Sequence, residues 1–349
     1  MLCPRCAATA EPDSLFCEAC GAALAETAVG LQPTGLSRGG AGAPTAADHR
    51  EIDLGPDLAA VSDRGLIHRQ NEDAVALSRG ITGDGVPISI IVVCDGVSSS
   101  HDPARGANTA AVAAAGSLVA ALAVGAEAGA AMRQAVLEAH DAVCSLVPAG
   151  VDPVSRPLTT IVSALVRPGA VTVGWTGDSR AYVLAGDGRL LTRDDSWVNW
   201  VVERGEMSEA EATRSPNAHA IVQCLGDPDD LPDPHIVTVA PAPGETLLLC
   251  TDGLWNYALQ PARLAAVLSR FPKGTPAVEQ YRALVELPTL PAGTTTSLPR
   301  SAIRCHRGPR GAAQRQTASG PLLPGPDPHY YYGRDEDLCP YRRSHNDRR

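Results

Sequence analysis

Long apolar runs and basic residues are both scarce in this chain. Its 349 residues contain no uninterrupted apolar stretch of about 18 or more, the length that a membrane span needs. The N-terminus also lacks the basic segment and following apolar segment of a secretory signal. Lysine occurs once, at Lys273, and the formal charge is −10. This balance disfavours a protein that holds nucleic acid through its phosphates and suits acidic clusters that bind cations. We expect a cytoplasmic protein with neither a membrane nor a nucleic-acid partner.

The cysteines are unevenly distributed, with four of the ten in the first twenty residues: Cys3, Cys6, Cys17 and Cys20. Two Cys-x-x-Cys pairs at this separation can hold one Zn²⁺ tetrahedrally in a closed structural site. Disulfide pairing is the alternative, and a reducing compartment disfavours it. We therefore predict a small zinc ribbon over residues 1–22 that folds on binding the metal. Four other cysteines lie in apolar stretches and are predicted to be core residues: Cys94, Cys144, Cys224 and Cys250.

The remaining chain divides by composition into three segments. Residues 23–50 are rich in Ala, Gly, Pro and Thr without a hydrophobic period, which predicts a flexible linker. Residues 51–287 have the pattern of a globular domain, in which strands are grouped together and helices are grouped between them. This order is typical of the α+β class, with antiparallel sheets covered by helices. Residues 288–349 lose the periodicity, and we predict that they are disordered.

Carboxylates recur at the ends of the predicted strands. The apolar run from Ile88 ends in Asp95-Gly96, and the run from Leu247 ends in Asp252-Gly253. Asn71-Glu72-Asp73 precedes another strand, and Gly177-Asp178 joins two more. A single Asp of this kind is usually a turn or capping residue, but several beside glycines are typical of a hard-cation site. Because no histidine adjoins Asp95 or Asp252, Mg²⁺ or Mn²⁺ is favoured over Zn²⁺. Two such ions about 4 Å apart activate water toward a phosphate ester, so we predict phosphate-ester hydrolysis.

The order and spacing of these segments resemble the metal-dependent serine/threonine protein phosphatases, the PPM or type 2C family, over about residues 58–287. The matching motifs are Ser62-Asp-Arg-Gly65, Asn71-Glu-Asp73, Val93-Cys-Asp95-Gly96, Thr159-Thr160, Gly177-Asp-Ser-Arg-Ala-Tyr182, Asp194-Asp-Ser196 and Thr251-Asp252-Gly253. The resemblance implies a four-layer α-β-β-α sandwich of two antiparallel sheets. It also implies hydrolysis of phosphoserine and phosphothreonine in proteins, with a serine/threonine kinase or its targets among the substrates.

The resemblance further implies a set of metal ligands. Asp95 would bridge two Mg²⁺ or Mn²⁺ ions, and the Gly96 carbonyl would be a further ligand. Asp252 would complete the shell of one ion and, with Asp95, carry the catalytic role. The ligands of the other ions would be Glu72 and Asp73, directly or through water, and Asp178 for a third ion. Residues 194–230 resemble the flap beside the family's active site, although Trp197 and Trp200 in it, each taken singly, are better explained by helix packing.

Several positions depart from the family pattern. His68 stands where many members carry a phosphate-binding Arg, and Arg69 follows it, so either side chain is expected to bind the phosphate.

His101, in the loop after Asp95-Gly96, is predicted to be a surface turn residue. His140 and His235 have no motif around them, so surface or packing roles are expected.

The family's final Gly-Gly-x-Asp-Asn motif, whose Asp is a metal ligand, is missing. Codons for residues 291–298 can be read in a shifted frame as Gly-Gly-His-Asp-Asn-Ile-Thr, so we hypothesise a frameshift between about Leu284 and Pro291. Loss of the Gly-Gly-x-Asp-Asn motif predicts a weaker metal site and a sheet that lacks its last strand. The alternative function is therefore a catalytically inactive phosphatase-like protein that binds a phosphoprotein or a kinase. A nucleic-acid-binding zinc protein is a third reading, which the acidic balance disfavours.

Overall fold

The computed structural model describes residues 49–65, 70–82, 85–147 and 156–287, together with the backbone alone of residues 32–36 and 300–305. Within these residues the strands are β1 Gln32–Leu36, β2 His49–Asp53, β3 Leu58–Asp63, β4 Asp73–Ile81, β5 Pro87–Asp95, β6 Ile161–Arg167, β7 Ala170–Thr176, β8 Arg180–Leu184, β9 Arg189–Leu190, β10 His235–Val239, β11 Thr246–Cys250 and β12 Arg300–Cys305. The helices are α1 Pro103–Ala123, α2 Ala128–Cys144, α3 Trp197–Glu203, α4 Glu209–Ala212, α5 Asp252–Trp255, α6 Pro261–Leu268 and α7 Ala277–Val285.

The strands form two six-stranded sheets in which neighbouring strands are antiparallel. The first sheet has the order β1-β4-β5-β6-β7-β10, and the second has the order β2-β3-β12-β11-β8-β9. Where two consecutive strands belong to different sheets, the chain crosses from one sheet to the other. The turn from β7 to β8, at residues 177–179, is one of these points. The candidate site lies at the ends of β5, β7 and β11.

Period-two alternation in the central strands creates two buried faces. In β5, Ile90 and Val92 pack with the buried side of α1 and α2, whereas Ile91 and Val93 pack between the sheets. Successive side chains of a strand point to opposite faces, so a strand that is covered on both faces is apolar at nearly every position. This explains why the run from Ile88 has no polar alternation.

The second sheet repeats this arrangement on its own outer face. Leu248 of β11 packs with Leu264 of α6 and Tyr281 of α7, while Leu249 faces the first sheet. The layers are therefore helix, sheet, sheet and helix. The predicted α+β sandwich of antiparallel sheets covered by helices is confirmed.

Helix α1 is long and apolar enough, by length and composition, to cross a membrane, with a mean hydropathy of 1.5 over its most apolar window. Its buried face instead packs on α2 and on the first sheet through small and branched side chains, among them Ala110, Ala114 and Leu118. Small residues allow the helix backbone to approach the sheet closely. The prediction of a buried core helix in this part of the chain is confirmed.

Two segments that were predicted to lack regular structure contribute strands to the sheets. Residues 23–50 were expected to be a flexible linker, but Gln32–Leu36 forms β1 on the edge of β4, and β2 begins at His49 and pairs with β3. Residues 288–349 were expected to be disordered and the sheet to lack a strand, yet Arg300–Cys305 forms β12 between β3 and β11. A gap inside a sheet leaves two rows of backbone donors and acceptors unpaired, and an extended segment of almost any sequence can satisfy them.

Candidate metal centre

The first two carboxylates of the candidate site lie opposite each other in the first sheet. Asp73 of β4 is the register partner of Asp95 of β5. Directly opposed residues of an antiparallel pair project from the same face with Cβ atoms roughly 4.5–5.5 Å apart. Because Val75 and Val93 lie between the sheets, the alternation directs both carboxylates to the same side, at the end of the inter-sheet core. Sheet register therefore brings together two acids that are 22 positions apart in the sequence.

The second sheet supplies Asp252 to the same region. Strand β11 ends at Cys250, and α5 begins at Asp252, so this carboxylate leaves the strand end at the first turn of a helix. The buried Thr251 hydroxyl donates a hydrogen bond to Asp73 Oδ2 at 3.2 Å and thereby links the two sheets. The Asp95 and Asp252 carboxyls lie close enough for each to shift the pKa of the other.

Burial and, after it, mutual repulsion raise the pKa of the acids in this site. Burial raises the pKa of Asp95 well above its usual range, and the charges of Asp73, Asp252 and Asp178 raise that pKa further. Burial also raises the pKa of Asp252, with Asp178 and Asp73 adding to the effect. The pKa of Asp178 is raised to about 7, first by burial and then by the charge of Asp194. Carboxylates that resist ionisation together need a cation to stabilise their charged forms.

The donor chemistry fits a hard cation, but the acids do not yet enclose one. Within the described ranges, no three Asp, Glu, His or Cys side chains surround a common point closely enough to form an ion's shell. Asp95 and Asp252 nevertheless lie within electrostatic reach of each other and of Asp73, since each of these neighbours shifts their pKa. All the charged donors are carboxylate oxygens, which Mg²⁺ and Mn²⁺ prefer.

Glu72 and Gly96 lie beside this cluster. The Ser98 hydroxyl donates a 2.6 Å hydrogen bond to Glu72 Oε2, and the Gly96 amide donates to the Glu72 carbonyl at 3.1 Å. A Cβ added to Gly96 would lie 2.5 Å from the Pro103 carbonyl oxygen, so a larger residue would displace α1. Sequence reasoning missed the contact of Ser98. The position of Ser98, two residues after Gly96 in the sequence, could have indicated that its hydroxyl lies near the site.

The turn that carries Asp178 is fixed through its backbone. Gly177 has φ +102°, and a Cβ there would lie 2.6 Å from Thr160 Cβ, so glycine is required. The Trp255 Nε1–H donates to the Asp178 carbonyl at 2.9 Å. The Arg180 guanidinium lies 3.7 Å above the Trp255 ring, where the ring's electron density attracts it.

Arg180 is held in that position by a bidentate ion pair. Its Nε and Nη2 donate to the two carboxylate oxygens of Asp194 at 2.9 and 2.6 Å. Both side chains are largely buried, so the pair is stronger than an exposed one. Arg180 and Asp194 belong to predicted motifs, but their mutual contact and the role of Trp255 were not predicted.

Comparison with known protein families decides which class of protein has this arrangement. The model of the family described as protein phosphatase 2C matches residues 68–287, well over half of the chain. The chain belongs to the protein phosphatase 2C family. The predicted membership is confirmed, and the match covers most of the helix-covered sandwich.

Two characterised relatives share part of this family member's sequence. The serine/threonine phosphatase stp of Listeria innocua is 36% identical over 100 residues, which cover 28% of this chain and 39% of stp. The serine/threonine protein phosphatase PstP of Mycobacterium tuberculosis is 30% identical over 206 residues, covering 56% of this chain and 36% of PstP. The matches thus span less than half of each relative's length.

Solved structures agree on the fold. The serine/threonine phosphatase of S. agalactiae superposes with a TM-score of 0.57 at 22% identity, covering 71% of this chain and 98% of the other. The catalytic domain of PstP in complex with two manganese ions superposes with a TM-score of 0.50 at 22% identity, covering 73% and 96%. At these identities the likeness supports the four-layer fold of this family member.

The remaining predicted residues have mixed outcomes. Six of them lie outside the described residues: His68, Arg69, Cys3, Cys6, Cys17 and Cys20. His101 is exposed in a turn, as predicted. His140 is buried in α2, where its Nδ1 accepts a hydrogen bond from the Gly226 amide at 3.4 Å and its Nε2 lies 3.4 Å from the Cys144 sulfur, a packing role.

Other packing predictions are also resolved. Trp197 is buried on α3 with Val201, which favours the packing explanation for that residue. Cys94, Cys224 and Cys250 are buried, as predicted for core residues, whereas Cys144 is only partly buried. The expectation of a surface or packing role for His235 is incomplete, because this residue is ion-paired with the buried Asp195 at 2.8 Å.

Proposed function

We propose that this chain is a metal-dependent phosphatase that hydrolyses phosphoserine and phosphothreonine in proteins, with Mg²⁺ or Mn²⁺ as its cofactor. The observation that carries the proposal is the meeting of Asp73, Asp95 and Asp252 at the end of the inter-sheet core. Membership of the protein phosphatase 2C family and the serine/threonine phosphatases among its relatives support it. The PstP catalytic domain, which has two manganese ions in its structure, supports the choice of cofactor.

In this proposal each carboxylate holds one part of a cation site. Asp95 faces Asp73 across the strand pair, and the charges of both Asp73 and Asp252 raise its pKa, so it is the candidate bridging ligand. The Gly96 carbonyl would be a further ligand. Glu72 and Asp73 would hold one ion, directly or through water, Asp252 would hold the other, and Asp178 would hold a third. When bound, such ions polarise a phosphoryl oxygen and activate water as a nucleophile at neutral pH.

The chain's own residues prepare the site for that chemistry. Thr251 restrains Asp73 by donating to its carboxylate, and Ser98 restrains Glu72 in the same way. Because the pKa of Asp95 and the pKa of Asp252 are both raised, these carboxyls would have to ionise for a cation to bind them. His68 or Arg69 would bind the phosphate of the substrate, as either can donate hydrogen bonds to an anion.

The absent Gly-Gly-x-Asp-Asn motif bears on affinity. One carboxylate ligand fewer leaves more of the ion's shell to water, so we expect weaker cation binding than in a member that has the motif.

The four N-terminal cysteines remain candidates for a structural Zn²⁺ site, which metal analysis of the purified chain with and without a Cys3→Ser substitution would test. A kinase or its targets as substrates, and a cytoplasmic location, also remain proposals.

The test is turnover by the full-length chain. Phosphothreonine peptide and p-nitrophenyl phosphate are each incubated with the wild-type chain and Mn²⁺, with EDTA as the reference. We expect release of phosphate that Asp95→Asn abolishes and that Asp187→Asn, in the exposed turn between β8 and β9, leaves intact. If a folded wild-type chain binds Mn²⁺ and releases no phosphate, the phosphatase proposal is wrong and the binding-protein alternative is favoured.

A further inference from the structure

Asp195 is a buried acid that the proposed chemistry does not use. Its side chain is 7% exposed, although it stands in the segment that begins the flap. The Asp195 amide donates to the Gly177 carbonyl at 3.0 Å, and the Gly177 amide donates to Asp195 Oδ2 at 2.9 Å. Backbone and side chain therefore hold Gly177 from both sides. Gly177 immediately precedes Asp178, so this contact fixes the turn that carries a candidate ligand.

The second oxygen of Asp195 is bound by His235. His235 Nε2 lies 2.8 Å from Asp195 Oδ1, and the imidazole stacks on Trp175 with ring centroids 5.1 Å apart. His235 and Trp175 are register partners on β10 and β7. The carboxylate of Asp195 thus joins the edge strand of the first sheet to the turn after β7.

Asp195 also makes a backbone contact with a later residue of the flap, Val222. Its carbonyl accepts a hydrogen bond from the Val222 amide at 2.7 Å, which closes the segment 196–221 at its base. Burial raises the pKa of Asp195, and the hydrogen bond from His235 opposes that rise. Asp195 in turn raises the pKa of His235. Each partner therefore stabilises the charged form of the other.

We propose that Asp195 and His235 form a positioning pair that orients the Gly177-Asp178 turn toward the cation cluster and ties it to the flap. The inference rests on the proposed function, in which Asp178 is a ligand, but it concerns residues that touch neither cation nor substrate. Removing His235 leaves Asp195 buried without its donor, so the carboxylate is expected to turn or to take up a proton. The Gly177 amide then loses its acceptor, and Asp178 loses its fixed direction.

The experiment uses the full-length chain with four substitutions. His235→Leu removes the donor, and His235→Gln retains an N–H near the Nε2 position. Asp195→Asn weakens the acceptor for both Gly177 and His235. Thr238→Val is the matched control, because Thr238 lies on the same strand and its hydroxyl contacts the Thr172 hydroxyl at 3.0 Å, away from the turn.

Three readouts are measured for each variant: hydrogen exchange at the Gly177 amide, Mn²⁺ binding by paramagnetic resonance of the free ion, and kcat and KM on a phosphothreonine peptide. Outer-shell partners of ligands typically contribute about 10-fold to 100-fold to metal affinity. We therefore expect His235→Leu and Asp195→Asn to weaken the weakest Mn²⁺ site about 10-fold. They should also speed exchange at Gly177 and lower kcat more than they raise KM. His235→Gln should retain most of each property.

The controls separate this proposal from a purely structural role. Equal effects of His235→Leu and Thr238→Val on all readouts would overturn it, as would unchanged Gly177 exchange and Mn²⁺ binding in both His235→Leu and Asp195→Asn. If His235→Leu does not fold, Asp195→Asn and His235→Gln, which keep the side-chain volume, decide the outcome. If the wild-type chain has no turnover, the phosphatase proposal fails, while hydrogen exchange and Mn²⁺ binding still test the pair.

Discussion

Replacing Asp178 with Asn should stabilise the metal-free protein at alkaline pH. The pKa of Asp178 is raised to about 7 from an ordinary 3.8, because the carboxyl is buried and lies near Asp194. A pKa displacement of one is worth about 1.4 kcal/mol, so ionising Asp178 in the fold costs at most about 4 kcal/mol. Partial exposure to solvent screens the charge, and we expect a gain of about 2 kcal/mol in the free energy of unfolding.

The sign of the effect follows from the raised pKa. A carboxyl whose pKa is higher in the folded than in the unfolded state stabilises the fold most below pH 3.8, and this contribution is lost as the pH rises through about 7. An asparagine side chain cannot ionise, so the variant does not lose this stability as the pH rises. The advantage of Asp178→Asn is therefore expected to be smaller at pH 5 than at pH 8, where it is largest.

The assay is urea unfolding in EDTA at pH 5 and pH 8, followed by circular dichroism. The exposed Asp187→Asn substitution serves as the control and should change stability little at either pH. With Mn²⁺ in excess the order should reverse, because the wild-type carboxylate gains binding free energy that the amide does not. Equal or lower stability of Asp178→Asn at pH 8 without metal would refute the claim that burial and the nearby charge of Asp194 disfavour the ionised Asp178 carboxyl.

Three further outcomes follow from named contacts. Leu248→Ala should lower the free energy of unfolding by about 2–5 kcal/mol, measured in urea, because this fully buried side chain leaves a cavity under α6 and α7. Gly177→Ala should cost about 1–3 kcal/mol in the same measurement, since φ is +102° and the new Cβ would meet Thr160. Ser98→Ala should raise the Mn²⁺ concentration for half-saturation about 10-fold with an unchanged circular dichroism spectrum, because Glu72 loses its donor. Wild-type affinity in that variant would exclude a role of Ser98 in the site.

Local pattern was sufficient to predict most secondary structure. The apolar run from Ile88 predicts a strand covered on both faces, and Pro87–Asp95 is such a strand. The flap was harder to predict, because α3 and α4 have only seven and four residues and too few turns for a hydrophobic period. Strand β12 could not be predicted, since its position depends on the gap between β3 and β11 and not on a periodic pattern of its own.

By itself the sequence determined the class of the fold, the family and the candidate acids, because alternation, turn residues and Asp-Gly strand ends are local features. Tertiary structure decided which groups touch. The opposition of Asp73 and Asp95 depends on the register of two strands, and the electrostatic proximity of Asp95 and Asp252 depends on how two sheets pack. The pairing of Asp195 with His235, 40 positions apart, likewise depends on where an edge strand lies. Local backbone preferences do not encode such long-range distances, so no spacing rule in the chain predicts them.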